Sequence, residues 1–96
     1  MDSPRSYEFE GVAPTIADEA RVSNESTLVG DVTVAANASV WPGVVLRGDI
    51  APVRVGEASH VTDNALLHAS VVGDRVMVGH GAVLNEATVG DDEIGR

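Results

Sequence analysis

The sequence predicts an all-β protein whose chain winds as a coil of short parallel strands. The first observation is a repeat, because the order Val, Val, Leu recurs three times with a spacing of six residues. This period fits neither a helix, with about 3.6 residues per turn, nor a hairpin, but it suits short strands separated by corners. The nine repeat positions are Val34, Val40, Leu46, Val55, Val61, Leu67, Val72, Val78 and Leu84.

Composition is the second observation. The 96-residue chain is 44% hydrophobic, yet only 3% of its residues are aromatic. Small branched side chains suit a narrow interior rather than a thick globular core. Three strands per circuit close a triangular coil, and the extent of the strict repeat predicts about 3–4 coils of a parallel β-helix.

The repeat also predicts the domain organisation. Residues 1–20 lack the six-residue period and contain Pro4, Gly11 and Pro14, which interrupt long elements. We therefore expect an N-terminal capping segment over 1–20 and the β-helix domain over 21–96. The acidic last residues either blunt the final coil or belong to a coil that continues, and the sequence leaves both possibilities open.

Irregular spacing predicts where the coil departs from its repeat. Leu46 and Val55 are nine residues apart, so the corner between them holds three extra residues, and we expect a small bulge over 49–54. Glycines that follow apolar residues are expected to mark corners through backbone angles that other residues resist. These are Gly30, Gly56, Gly73, Gly79 and Gly90.

Charge limits the possible partners. Fifteen acidic residues against six arginines give a net charge of −9, which opposes binding to nucleic acid. No apolar run has the length of a signal peptide or a membrane span, so we expect a cytoplasmic protein that does not bind membranes. An excess of acid balanced only by arginine is also what we expect of a halophilic source.

The positions that follow each closing leucine indicate a site. They are occupied by Arg47, His68 and Asn85, which coil stacking places along one edge. His80 follows Val78 in a different part of the circuit, so it points from another edge. A metal held by residues of two chains would give the open three-ligand geometry of catalytic zinc sites, which predicts a homotrimer.

Three segments carry a family resemblance. They are VWPGVVLRGD at 40–49, VTDNALLH at 61–68 and VGHGAVLN at 78–85. Together they resemble the gamma-class carbonic anhydrases over about residues 22–92. The resemblance implies a left-handed parallel β-helix, a trimer, and a zinc, iron or cobalt ion held by three histidines between subunits.

The resemblance also implies a ligand set. His68 and His80 match the first two metal ligands, whereas Asn85 stands where the family has its third histidine. An amide oxygen is a weaker ligand for zinc than imidazole, so the resemblance implies a weakened or lost metal.

Three further residues match positions around the family's metal. Arg47 and Asp49 match a pair that organises the subunit interface and the pocket, and Thr62 stands where a glutamine orients the reacting water. Asp63 is a candidate partner for an imidazole. The implied reaction is the reversible hydration of carbon dioxide to bicarbonate.

Two alternatives remain open at this stage. One is a non-catalytic trimeric scaffold with a degenerate metal site, which the substitution at Asn85 favours. The other is a hexapeptide-repeat acyltransferase that uses acetyl-coenzyme A, which ranks third because no basic groove is evident for the cofactor's phosphates.

Overall fold

In the computed structural model, the chain folds as a parallel β-solenoid of about five turns. The structure describes residues 3–95, and none of these residues lies in a helix. Accordingly, no helix within this range has the length and hydrophobicity needed to cross a membrane. The all-β parallel architecture predicted from the repeat is confirmed.

Within residues 3–95, thirteen short strands form the coil. They are β1 (Arg5–Tyr7), β2 (Thr15–Ile16), β3 (Arg21–Val22), β4 (Thr27–Val34), β5 (Ser39–Val40), β6 (Val45–Val55), β7 (His60–Val61), β8 (Leu66–His68), β9 (Val71–Val72), β10 (Met77–Val78), β11 (Val83–Asn85), β12 (Thr88–Val89) and β13 (Ile94–Gly95).

The strands stack into three faces. The first, which we call the site face, has the order β1-β4-β6-β8-β11, and the second has the order β3-β5-β7-β10-β13. The third is formed by β2, the ends of β4 and β6, β9 and β12, because β4 and β6 each continue around a corner. All of these pairings are parallel, so each face presents equivalent positions of successive circuits one above another.

Alternation along each strand separates the core from the surface. All nine repeat positions are buried, with Leu84 the most exposed at 7%. A second set of small residues fills the space beside them, which suits the narrow triangular interior. This set consists of Ala38, Val44, Ser59, Ala65, Ser70, Val76 and Ala82.

The N-terminal segment adds height that the strict repeat does not indicate. β1 pairs with β4 through Ser6 opposite Leu28, and β2 pairs with β4 through Ile16 opposite Val34. Backbone pairing thus covers the upper edge of the first strict coil, although 1–20 shows no six-residue period. This is why the stack has about five turns rather than about 3–4.

The predicted bulge is present in β6. Its register with β4 runs to Gly48 opposite Gly30 and resumes at Val53 opposite Val32. The four residues 49–52 of β6 therefore lie opposite a single residue of β4, Asp31, so β6 has three more residues than β4 at this point. A bulge bends its strand and re-aims the side chains that it carries.

Most corners are not made by the predicted glycines. Of those five, only Gly30 has a positive φ, whereas seven non-glycine residues at corners between 37 and 92 adopt the left-handed conformation, among them Asn64, Arg75 and Asp92. Gly56 serves a different purpose, since a Cβ there would lie 2.3 Å from the carbonyl oxygen of Gly73. Glycine is required at this position because successive circuits approach closely, not because the backbone has a positive φ.

Candidate functional site

The site face aligns the residues that follow the closing leucines. Arg47 lies opposite His68 in the register of β6 and β8, and His68 lies opposite Asn85 in that of β8 and β11. Outward side chains in such a stack are separated by about 4.8 Å, the distance between neighbouring strands. The predicted edge of three polar residues is therefore present.

Asn85 holds one nitrogen of the His68 ring. The Nδ1 atom of His68 lies 2.9 Å from the Oδ1 atom of Asn85. With the amide oxygen facing the ring, this hydrogen bond requires the proton to be on Nδ1, which donates to the oxygen. In the neutral ring, this tautomer has its lone pair on the other nitrogen, Nε2.

Asp49 lies beside that second nitrogen. Its Oδ1 atom is 3.2 Å from Nε2 of His68, and the two side chains are only 19% and 16% exposed. Both atoms are buried, yet within the part of the chain that the structure describes neither has a hydrogen-bond partner. The pair is therefore close in distance but not aligned for a hydrogen bond.

Arg47 fixes the other oxygen of the same carboxylate. Its Nη2 atom donates to Oδ2 of Asp49 at 2.9 Å. This hydrogen bond is the main reason why the pKa of Asp49 is below its usual value of 3.8, and the positive charge of Arg47 lowers it further. Asp49 is consequently an anion at neutral pH, with one oxygen committed and the other available.

Thr62 lies elsewhere in the circuit. It follows β7 on the second face, is 5% exposed, and donates its hydroxyl proton to the carbonyl oxygen of Val78 at 2.7 Å. The side chain thus stabilises the stack of two circuits, and only its lone pairs remain to accept a hydrogen bond. A role in orienting water stays a prediction.

His80 is separate from the site face of its own chain. It follows β10 and is 76% exposed, with its Nδ1 atom 3.5 Å from Oδ1 of Asp63. The sequence singled out Asp63 as a possible imidazole partner, and the structure places the two side chains next to each other. Over residues 3–95, no group of three histidines, cysteines or carboxylates forms a metal cluster within one chain.

The third histidine takes no part in this arrangement. His60 lies on the second face, where its Nδ1 atom is 2.5 Å from the hydroxyl of Ser39. The indole of Trp41 donates to the same hydroxyl at 2.9 Å. This cluster ties two circuits together on the second face, away from the stack that contains His68.

An apolar column that the sequence analysis missed runs beside the polar one. Val45, Leu66 and Val83 stack one position before the closing leucines and point outward on the site face. Val83 is 62% exposed. The column could have been predicted from the sequence, because three consecutive circuits carry an aliphatic residue at a position that alternation along the strand places on the outside.

Comparison with known proteins finds sequence similarity to gamma carbonic anhydrases. The chain is 37% identical over 91 residues to the mitochondrial gamma carbonic anhydrase 1 of Arabidopsis thaliana, covering 83% of this chain and 33% of the relative. It is 36% identical over 88 residues to a carbonic anhydrase of Geobacillus kaustophilus, covering 86% and 48%. This chain is similar in sequence to the gamma carbonic anhydrases. It spans a third to a half of the length of these curated proteins.

A solved structure extends the comparison at the level of the fold. A hexapeptide transferase family protein from Anaplasma phagocytophilum superimposes with a TM-score of 0.66 and 24% identity, covering 94% of this chain and 77% of that one. At this identity the likeness concerns the solenoid alone. No family model matches the chain.

Two neighbouring side chains on the site face are chemically suited to a divalent metal. His68 offers a ring nitrogen with a free lone pair, and the adjacent carboxylate oxygen of Asp49 is buried without a partner among the described residues. Imidazole and carboxylate are both ligands of zinc, iron and cobalt. Over residues 3–95 of one chain, these two groups are fewer than the three protein ligands of a catalytic zinc site.

Proposed function

We propose that this protein catalyses the reversible hydration of carbon dioxide to bicarbonate at a metal site shared between subunits of a homotrimer. The observation that carries the proposal is the buried Nε2 of His68 on the site face, which has no hydrogen-bond partner within residues 3–95. His80 is exposed on a different part of the same chain. The kinship with gamma carbonic anhydrases supports the reaction.

The apolar column supports the assembly. Val45, Leu66 and Val83 form an outward aliphatic stripe directly beside the His68 column. Packing this stripe against a neighbouring copy would remove it from water and would bring another chain to the edge where His68 lies. A closed ring of three copies would then repeat the same contact three times.

The metal would be held by His68 of one chain and His80 of the next, with Asn85 as the third candidate in the ligand set that the resemblance implies. A divalent ion bound in this way would supply hydroxide at neutral pH, because such an ion lowers the pKa of water to about 7.

Protein groups prepare the site. Asn85 orients the ring of His68 through Nδ1, and Asp63 lies where it can orient His80. Arg47 restrains the carboxylate of Asp49 at the rim. Thr62 is the candidate for accepting a hydrogen bond from the reacting water.

A subunit-mixing experiment tests the shared site. His68→Ala and His80→Ala should each abolish carbon dioxide hydration measured by stopped flow with a pH indicator. Co-refolding the two inactive variants at equal concentration should restore about one quarter of the wild-type rate, because a quarter of randomly formed interfaces pair an intact His68 with an intact His80. His60→Ala, on the second face, serves as the control and should retain full activity.

The outcome of subunit mixing distinguishes a site shared between two chains from a site within one chain. Absence of recovery, in mixtures that sedimentation confirms to be trimers of both variants, would contradict a site built from two chains. A chain that sediments as a monomer at all concentrations would contradict the assembly itself.

A non-catalytic trimeric scaffold is the second candidate, and the identity of Asn85 favours it. In that case the wild type binds no metal and hydrates no carbon dioxide, whereas Asn85→His gains metal. Metal analysis of the purified wild type and variant, followed by the same rate measurement, distinguishes the two functions.

A further inference from the structure

We propose that Asp49, and not Asn85, is the second metal ligand contributed by this chain, alongside His68, and that Asn85 is a positioning residue for His68. The inference rests on the proposed function in one respect, since the remaining protein ligand is His80 of a second copy. It changes the ligand set from the one that the family resemblance implies.

The spacing of two atoms carries the argument. Oδ1 of Asp49 and Nε2 of His68 lie 3.2 Å apart and have no hydrogen-bond partner within residues 3–95. Two buried polar atoms rarely lie side by side without a shared proton or another group between them. Two ligands at about 2.0–2.1 Å from a tetrahedral metal are about 3.3 Å apart. The observed pair has the spacing of neighbouring ligands on one ion.

The contact of Asn85 fits a supporting role. Its Oδ1 atom is already engaged, 2.9 Å from Nδ1 of His68. Histidine ligands almost always donate their second ring N–H to a carbonyl or carboxylate, which fixes the ring and leaves the first nitrogen for the metal. The amide of Asn85 satisfies this requirement for His68, and the same oxygen cannot also face the ion on Nε2.

Arg47 gives Asp49 the corresponding support. It holds Oδ2 at 2.9 Å, so the carboxylate is fixed in one orientation with Oδ1 directed at the neighbouring ring nitrogen. Ligating carboxylates are typically hydrogen-bonded through their second oxygen in this manner. Each of the two ligands in this chain thus has one atom anchored by a neighbour and one atom that has no hydrogen-bond partner among the described residues.

The bulge in β6 explains how Asp49 reaches the column. Asp49 is the first residue after the register with β4 is lost at Gly48, and pairing resumes only at Val53. A residue inside a bulge is released from strict alternation, so its side chain can be directed along the face. A Cβ at Gly48 would lie 2.3 Å from the carbonyl oxygen of Asp31, so the backbone passes too closely there for a larger residue.

Metal affinity of matched variants tests the assignment. Zinc dissociation constants, measured by competition with a chromophoric chelator, would be compared for the wild type, Asp49→Asn, His68→Ala, Asn85→Ala and Arg47→Gln. Loss of a positioning residue typically weakens metal binding by about 10–100-fold. We expect Asn85→Ala and Arg47→Gln to fall in this range, and Asp49→Asn to exceed it and approach His68→Ala.

Spectroscopy provides a readout that a purely structural role would not change. With cobalt(II) in place of zinc, Asp49→Asn should alter the position and intensity of the visible absorption bands, whereas Arg47→Gln should leave them nearly unchanged. In the zinc-loaded wild type, nitrogen-15 NMR of the histidines should show the metal on Nε2 of His68 and a proton on Nδ1. This last measurement needs no variant.

The outcomes separate the inference from the proposed function. Equal losses for Asp49→Asn and Arg47→Gln, a loss for Asn85→Ala as large as that for His68→Ala, or a metal on Nδ1 would each overturn the ligand assignment. If Asp49 controls metal affinity but the loaded protein does not hydrate carbon dioxide, the assignment stands and the proposed activity fails. A wild type that takes up no zinc, iron or cobalt overturns both.

Discussion

Truncation of Leu67 tests the packing of the coil. Leu67 is fully buried and stacks between Leu46 and Leu84 in the parallel register of the site face. Leu67→Ala removes about three methylene-sized groups, each worth about 0.8 kcal/mol, and leaves a cavity that the neighbouring circuits cannot fill. We expect the free energy of unfolding to fall by about 3–5 kcal/mol, a large part of the roughly 5–15 kcal/mol typical of a domain.

The adjacent residue supplies a matched control. Leu66 is only partly buried, because alternation turns it outward on the site face. Leu66→Ala makes the same chemical change and should cost less than about 1 kcal/mol in the single chain. Urea unfolding followed by circular dichroism, at a concentration where sedimentation shows monomers, measures both variants under the same conditions.

Two results would refute this reasoning. Equal destabilisation of the monomer by Leu66→Ala and Leu67→Ala would mean that the inward and outward positions are wrongly assigned. Separately, an apparent trimer dissociation constant that Leu66→Ala leaves unchanged would mean that the apolar column does not form the subunit contact.

Three further predictions concern the backbone, acid stability and salt. Gly48→Ala places a Cβ 2.3 Å from the carbonyl oxygen of Asp31 and should lower the free energy of unfolding by about 1–3 kcal/mol. Gly81→Ala should cost less, because the new Cβ meets no atom within 4 Å and only the φ of +68° is unfavourable. Urea unfolding that ranks the two variants in the opposite order would contradict this prediction. Arg75 lowers the pKa of Asp92 through a hydrogen bond, so the stabilisation from this ion pair is present above the unfolded pKa of about 4 and is lost as pH falls through the folded pKa. Arg75→Gln should therefore lower the free energy of unfolding at pH 7 but not at pH 2. An equal loss at both pH values would exclude the ion pair as the cause. Because the net charge is −9, raising potassium chloride from 0.1 to about 2 M should raise the melting temperature by screening repulsion, and an unchanged value would remove the basis for a halophilic source.

The regular part of the fold was readable from the sequence. The spacing of Leu46, Leu67 and Leu84 predicted their burial and the alignment of the residues that follow them, and both are confirmed. The nine-residue gap between Leu46 and Val55 predicted the bulge for the same reason, since an insertion between two fixed core positions must leave the ladder. Periodicity predicts these features because each circuit buries side chains at equivalent positions of the repeat.

The N-terminal strands and the corners were harder to predict. β1 and β2 pair through backbone groups with β4, and backbone pairing leaves little trace in a short polar segment. Corners such as Asn64 and Arg75 adopt positive φ although glycine is the usual residue for it, because the stacked circuits hold each corner in place. The sequence predicted where corners lie better than which residues form them.

The sequence by itself determined the repeat, the three-sided parallel coil, and the set of polar residues that follow the leucines, because these depend on spacing along the chain. Only the tertiary structure decided what those residues do to one another. It placed Asn85 on one nitrogen of His68 and Asp49 on the other, and it buried the hydroxyl of Thr62 against a neighbouring circuit. The physical reason is that side-chain direction depends on the bulge, the corner angles and the next circuit, all of which exist only once the coil has closed.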